Sequence, residues 1–155
     1  MHTVELLPDP RLEDGVRDLW DRLRGAGLPS LADHPHPTNR PHLTLLTAAS
    51  LAGLGPLGLP VAAELAEVRF LGRALVLLVT PTGELRELQS AAWSALAGDP
   101  WPPPPEWIPH VSLALKVPPD RRGEALDLLA TVPATRGHFT AARSYDTQSR
   151  TVVDL

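Results

Sequence analysis

The spacing of apolar residues changes period several times along the chain, and each change predicts an element. His2 to Leu7 alternates enough to predict a first strand, and Pro8-Asp9-Pro10 then supplies a turn, an N-cap and a proline for the first helical turn. Val16, Leu19, Trp20 and Leu23 recur at i, i+3, i+4 and i+7, the stripe of an amphipathic helix that Gly25 and Gly27 are placed to end. Residues 28–40 read as loop, 41–47 as a strand, and the glycines at 53, 55 and 58 mark an irregular surface connection over 48–60. Strand-like runs over 61–70 and 73–80 flank Leu71-Gly72 and predict a hairpin. A second helix is expected over 83–97, capped by Thr82, with Leu85, Leu88, Ala92 and Ala95 inward and Gly98-Asp99 as its stop.

Between Trp101 and Trp107 four consecutive prolines exclude a central strand and predict a stiff, extended approach to the next element. That element is a strand over 109–117. Pro118-Pro119-Asp120 opens a third helix with Ala125, Leu126 and Leu129 facing inward, and 138–143 and 151–155 read as closing strands around a turn at 146–149. The plan is α+β in a single domain, residues 1–155, with two loosely similar halves.

Two of the predicted strands share a phrase. Pro41-His42-Leu43-Thr44-Leu45-Leu46 and Pro109-His110-Val111-Ser112-Leu113-Ala114 both read Pro, His, apolar, hydroxyl, Leu, apolar. Side chains alternate across a strand, so His42 and Thr44 share one face while Leu43 and Leu45 share the other. His110 and Ser112 oppose Val111 and Leu113 in the same way. Each strand therefore has a wet face and a core face, and the two could line one polar cleft.

Composition narrows the setting. No apolar run approaches the ~18 residues of a membrane helix, the longest suitable run, 74–79, being a buried-strand candidate. The opening Met1-His2-Thr3-Val4-Glu5 has no basic segment followed by an apolar stretch, so no secretory leader is expected and a cytoplasmic location is the default. Zero cysteines exclude disulfides and thiolate metal sites. A net charge of −4 argues against coating long nucleic acid, which needs many cations against phosphates. A terminal or small phosphate ligand stays open, and Lys116 is the only lysine among 14 basic residues, so guanidinium forks dominate the cations.

Two imidazoles across a cleft can act as general base and general acid, each contributing on the order of 10²–10⁴ in rate. Phosphodiester cleavage needs both roles, and Thr44 and Ser112, about 6.6 Å along each strand from their histidines, are placed to donate hydrogen bonds to non-bridging oxygens. The paired His-x-Thr and His-x-Ser motifs, each opening a strand, resemble the two-histidine phosphoesterases, which include bacterial 2′-5′ RNA ligase-like proteins and RNA 2′,3′-cyclic phosphodiesterases. The resemblance implies a bilobal α+β fold with pseudo-two-fold symmetry, mixed or antiparallel sheets lining a central cleft, and helices outside. It implies metal-independent opening of 2′,3′-cyclic phosphates without a cofactor, or 2′-5′ ligation, with His42, Thr44, His110 and Ser112 as the catalytic set, His42 as acid and His110 as base. The partner would be an RNA terminus or small nucleotide carrying a cyclic phosphate or 2′-5′ linkage, bound by a monomer away from any membrane.

Other residues offer further candidates. Arg40 and Arg143 could contact phosphate, as could Arg69 and Arg150, while Trp107, Tyr145 and Trp101 could stack on a base. Solvated faces explain the arginines equally well, and aromatics more often plug a core. His138 reads as structural. His34-Pro35-His36 could hold a metal with a third ligand, giving a rival metal hydrolase. A second rival is a nucleotide-binding module on the same fold that turns nothing over. Intact histidines in both motifs disfavour it, since a pure binder could use Arg or Lys.

Overall fold

A computed structural model describes residues 1–155. In chain order it contains β1 (His2–Pro8), α1 (Pro10–Gly25), β2 (Leu43–Ala48), β3 (Val61–Leu71), β4 (Ala74–Val79), α2 (Gly83–Ala95), β5 (His110–Ala114), α3 (Arg122–Leu128), β6 (Thr135–Asp146) and β7 (Thr151–Asp154). All seven strands join one sheet in the order β1-β2-β5-β4-β3-β6-β7, every pairing antiparallel. Because β6 also pairs with β1, the first six strands close into a ring. The ring is weakest between β2 and β5, which share the single pair Leu43 and Val111. The units β1-α1-β2 and β4-α2-β5 repeat the same order, and β6 lies beside β1 as β3 lies beside β4.

Local chemistry accounts for the helices. Asp9 is extended and its Oδ1 accepts from the Leu12 N–H at 2.9 Å, while Pro10, which lacks an N–H, occupies the first turn. Leu12, Val16, Leu19, Trp20 and Leu23 then face inward as one buried stripe. In α2 the Thr82 hydroxyl accepts from the Leu85 N–H at 3.2 Å. That helix ends at Ala95, short of the expected residue 97, because Leu96 turns to extended backbone with its side chain buried in the core. The core is mostly leucine, valine and alanine, and each full burial of a Leu stabilises by about 1.5–3 kcal/mol.

The start of α1 is fastened to β6. Asp9 donates its N–H to the His138 carbonyl at 2.8 Å, and its Oδ2 accepts from the His138 N–H at 2.7 Å. Burial pushes the Asp9 carboxyl up, but the N–H groups of Leu12, His138 and Arg11 and the charge of His138 outweigh it and hold the group below the ordinary carboxylate range. Only glycine fits at 137, since a Cβ there would lie 2.5 Å from Asp9 Oδ2 and 2.7 Å from Leu12 Cγ. Gly53, at φ +98°, likewise faces the Ala95 carbonyl oxygen, 2.8 Å from where a Cβ would stand.

Four expectations are corrected. The ladder of β2 begins at Leu43, one residue after His42, and β5 ends at Ala114 rather than Val117 because Leu115 and Lys116 turn outward. Strand β6 starts at Thr135, three residues before the expected position. Of residues 135–139 only Phe139 is fully buried, so ladder bonds to β3 rather than an apolar pattern define that stretch. Along α3 and its C-cap, Ala125 and Leu129 are buried four residues apart, and Leu126, 100° around the axis from Ala125, is 40% exposed.

Candidate active site

Leu43, Leu45, Val111 and Leu113 all face the core, so the other face of both strands carries His42, Thr44, His110 and Ser112, each half-buried. The antiparallel pair Leu43 and Val111 fixes the register: continued by one residue either way, it sets His42 opposite Ser112 and Thr44 opposite His110. Residues directly opposite have Cβ atoms about 4.5–5.5 Å apart, and diagonal neighbours about 7–8 Å. The two histidines form one diagonal of this square and the two hydroxyls the other. All four sequence-predicted groups thus meet on one face.

Each imidazole is held by the same device. His42 Nδ1 lies 2.8 Å from the Arg40 carbonyl and His110 Nδ1 lies 2.7 Å from the Ile108 carbonyl. A carbonyl only accepts, so both Nδ1 atoms carry the proton in the neutral ring and both Nε2 atoms are bare. The intervening Pro41 and Pro109 have fixed φ and bias the preceding residue to extended backbone, which brings the carbonyl two positions back onto the ring. The carbonyls of the two hydroxyl residues are also matched: Trp107 Nε1 donates to Thr44 at 3.0 Å and Trp20 Nε1 donates to Ser112 at 3.1 Å. Where β2 and β5 diverge, indoles thus anchor them in place of further ladder bonds.

The square is not electrostatically symmetric. On the far side of β2, β1 sets Glu5 opposite Thr44, and Glu5 Oε1 lies 3.6 Å from His42 Nε2. Oε1 also accepts from Thr3 Oγ1 at 2.9 Å, while Oε2 accepts from Arg143 Nε at 2.8 Å. Arg143 Nη2 donates in turn to the Thr38 carbonyl at 2.9 Å. Glu5 and Arg143 are 4% and 6% exposed, so this is a buried ion pair, strongly destabilising to break. In the other half β4 places Val76 opposite Ser112 and Leu78 opposite His110, with no carboxylate.

Several expected contact residues have other occupations. Arg143 is committed to Glu5 and Thr38, under the site rather than open to a phosphate. Arg40 reaches back to α1, where its Nε and Nη2 both donate to Glu13 Oε1, at 3.0 and 2.7 Å; only its carbonyl serves His42. Trp107 is 5% exposed and its indole is used by Thr44, so it is a structural plug rather than a stacking surface. Tyr145 stands half-buried on β6 opposite Thr3, two residues along from Arg143 and on the same face. Trp101 forms a bridge with Thr47 and is 60% exposed. His36 Nδ1 bonds Thr38 Oγ1 at 2.7 Å, and no three His, Asp or Glu side chains come together to hold a metal ion, so His34 and His36 lack a third ligand. Sequence reasoning missed Glu5, Thr3 and the anchoring role of Trp20. Thr3 and Glu5 alternate with the buried Val4 and Leu6, the same two-residue signal that exposed the motifs.

A cavity of about 250 Å³ lined by Leu78, Trp107, Ile108 and Pro109 adjoins the second motif, whereas a larger one of about 620 Å³ lies elsewhere, at the N-terminal ends of α1 and α2 among Asp9, Arg11, Glu64, Arg136 and His138. No helix is long and apolar enough to cross a membrane.

No protein-family model matches the sequence, and no curated protein matches it either. The fold does recur among solved structures. The crystal structure of the MHV ns2 PDE domain superposes with a TM-score of 0.56 over 99% of this chain and 97% of that one, at 17% sequence identity. At that identity the likeness shows the fold: this chain has the α+β architecture of that domain.

Proposed function

We propose that the protein is a two-histidine phosphoesterase that opens 2′,3′-cyclic phosphates to 2′-phosphomonoesters, at an RNA end or on a small nucleotide. The matched pair of rings carries this reading: His42 and His110 both have Nδ1 tied to a carbonyl and Nε2 free, on one face, each across from a hydroxyl. That arrangement suits one ring to take a proton and the other to give one. His110 Nε2, bare in the neutral ring, takes the proton of a water whose oxygen attacks phosphorus, the bond from phosphorus to O3′ breaks, and His42, entering the step as the imidazolium, gives its Nε2 proton to O3′. Thr44 and Ser112 donate to the non-bridging oxygens, where charge builds in the transition state. The likeness to a phosphodiesterase domain supports the same chemistry. No step calls for a metal ion.

The test is an assay of purified protein on nucleoside 2′,3′-cyclic phosphates and cyclic-phosphate-ended RNA with a chelator present. Conversion to the 2′-phosphomonoester, lowered by about 10²-fold or more in His42→Ala or His110→Ala, is expected. Activity that appears only with added divalent metal, or that stays near the wild-type level in either variant, overturns the proposal.

A further inference from the structure

We infer that Glu5 is a specificity-determining residue that makes the site select monoanionic phosphodiesters and reject dianionic phosphomonoesters, an inference that rests on the phosphoesterase reading above. A phosphate within reach of His42 Nε2 also lies near Glu5 Oε1, 3.6 Å from that nitrogen. The two carboxylate oxygens differ: Oε2 faces the permanent charge of the Arg143 guanidinium at 2.8 Å, whereas Oε1 has the Thr3 hydroxyl at 2.9 Å and the His42 ring at 3.6 Å, whose charge comes and goes with its proton. The oxygen turned toward the substrate is therefore the less compensated one. Burial strengthens its field, because charges inside a protein interact more strongly than in water.

The reaction changes the charge that meets this field. A cyclic phosphodiester carries one negative charge, but the monoester product loses its second proton near pH 6 and carries about two at neutral pH. At the same moment His42 has surrendered its proton, so the cation between Glu5 and the phosphate is gone. Repulsion rises on product formation and favours release. Other charged groups leave this local: Arg40 is held by Glu13, Asp154 sits across from Arg143 on β7, and the corresponding positions beside Ser112 and His110 are Val76 and Leu78. The carboxylate therefore acts from the His42 side alone.

The experiment compares inhibition constants near pH 8 for adenosine 2′-monophosphate and its methyl ester, which differ by one charge. Wild type is expected to favour the methyl ester. Glu5→Gln, which keeps an oxygen for Arg143, should shift the ratio by about tenfold toward the monophosphate, and Glu5→Asp should preserve the wild-type ratio. Should Glu5→Gln fail to fold, Glu5→Leu combined with Arg143→Leu removes the pair together, a replacement buried pairs often tolerate, and should shift the ratio in the same direction. A protein that turns over cyclic phosphate through its histidines but shows the same ratio in all these variants overturns the role of Glu5 alone. A wild type that neither turns over the cyclic phosphate nor binds either nucleotide overturns the phosphoesterase reading together with this one.

Discussion

Replacing Gly137 with alanine tests the junction that holds α1 on the sheet. The added Cβ would stand 2.5 Å from Asp9 Oδ2 and 2.7 Å from Leu12 Cγ, both closer than real Cβ contacts allow. Leu12 is fully buried and cannot swing away, so the first cost is that of an overpacked core, about 1–3 kcal/mol. The carboxylate must also leave the N–H groups of Leu12 and His138, forfeiting a helix cap worth about 0.5–2 kcal/mol. Against this, alanine loses less backbone entropy than glycine, a gain of about 0.4–1 kcal/mol. The net expectation is a destabilisation of roughly 2–3 kcal/mol, read as a lower denaturant midpoint with unchanged slope. A double-mutant cycle sharpens it. Asp9→Ala removes one of the two clashing groups, so Gly137→Ala should cost less in that background. A Gly137→Ala protein within about 0.5 kcal/mol of wild type, or strict additivity with Asp9→Ala, refutes the close approach.

The remaining predictions concern the histidines, the indoles and acid. His42→Ala and His110→Ala should each lower kcat by about 10²-fold or more, with the double variant little worse than the poorer single one, as for groups acting on one phosphate; multiplied losses in steady-state assays would contradict that unity. Trp107→Phe leaves the Thr44 carbonyl without its donor and should cost about 1–3 kcal/mol in chemical denaturation, an unchanged midpoint arguing against the anchor. Because folding lowers the Asp9 pKa, its contribution is fully present above the unfolded value, about 3.9, and is lost as pH falls through the folded value. Wild type should therefore lose more stability than Asp9→Asn between pH 5 and pH 3, and parallel titrations would count against the cap's charge.

What the sequence determined by itself was local. A two-residue period fixes which side chains share a face, so His42 with Thr44 and His110 with Ser112 were legible before any fold was known, as was α1 from its stripe and its Asp9-Pro10 start. Periodicity says nothing of which strands are neighbours. That β2 meets β5 at Leu43 and Val111, and so joins the two motifs into one square, follows from packing the whole ring. The fate of each charged or aromatic side chain likewise depends on partners far along the chain. Arg143 looked available for phosphate until β6 set it against Glu5 on β1, and Trp107 looked like a stacking surface until the gap beside Thr44 buried it. Burial and pairing energies act through space, so the same guanidinium is a ligand contact on an open face and a buried counter-ion beside a carboxylate. The tertiary structure alone decided which, and in doing so it made two sequence-equivalent histidines electrostatically different.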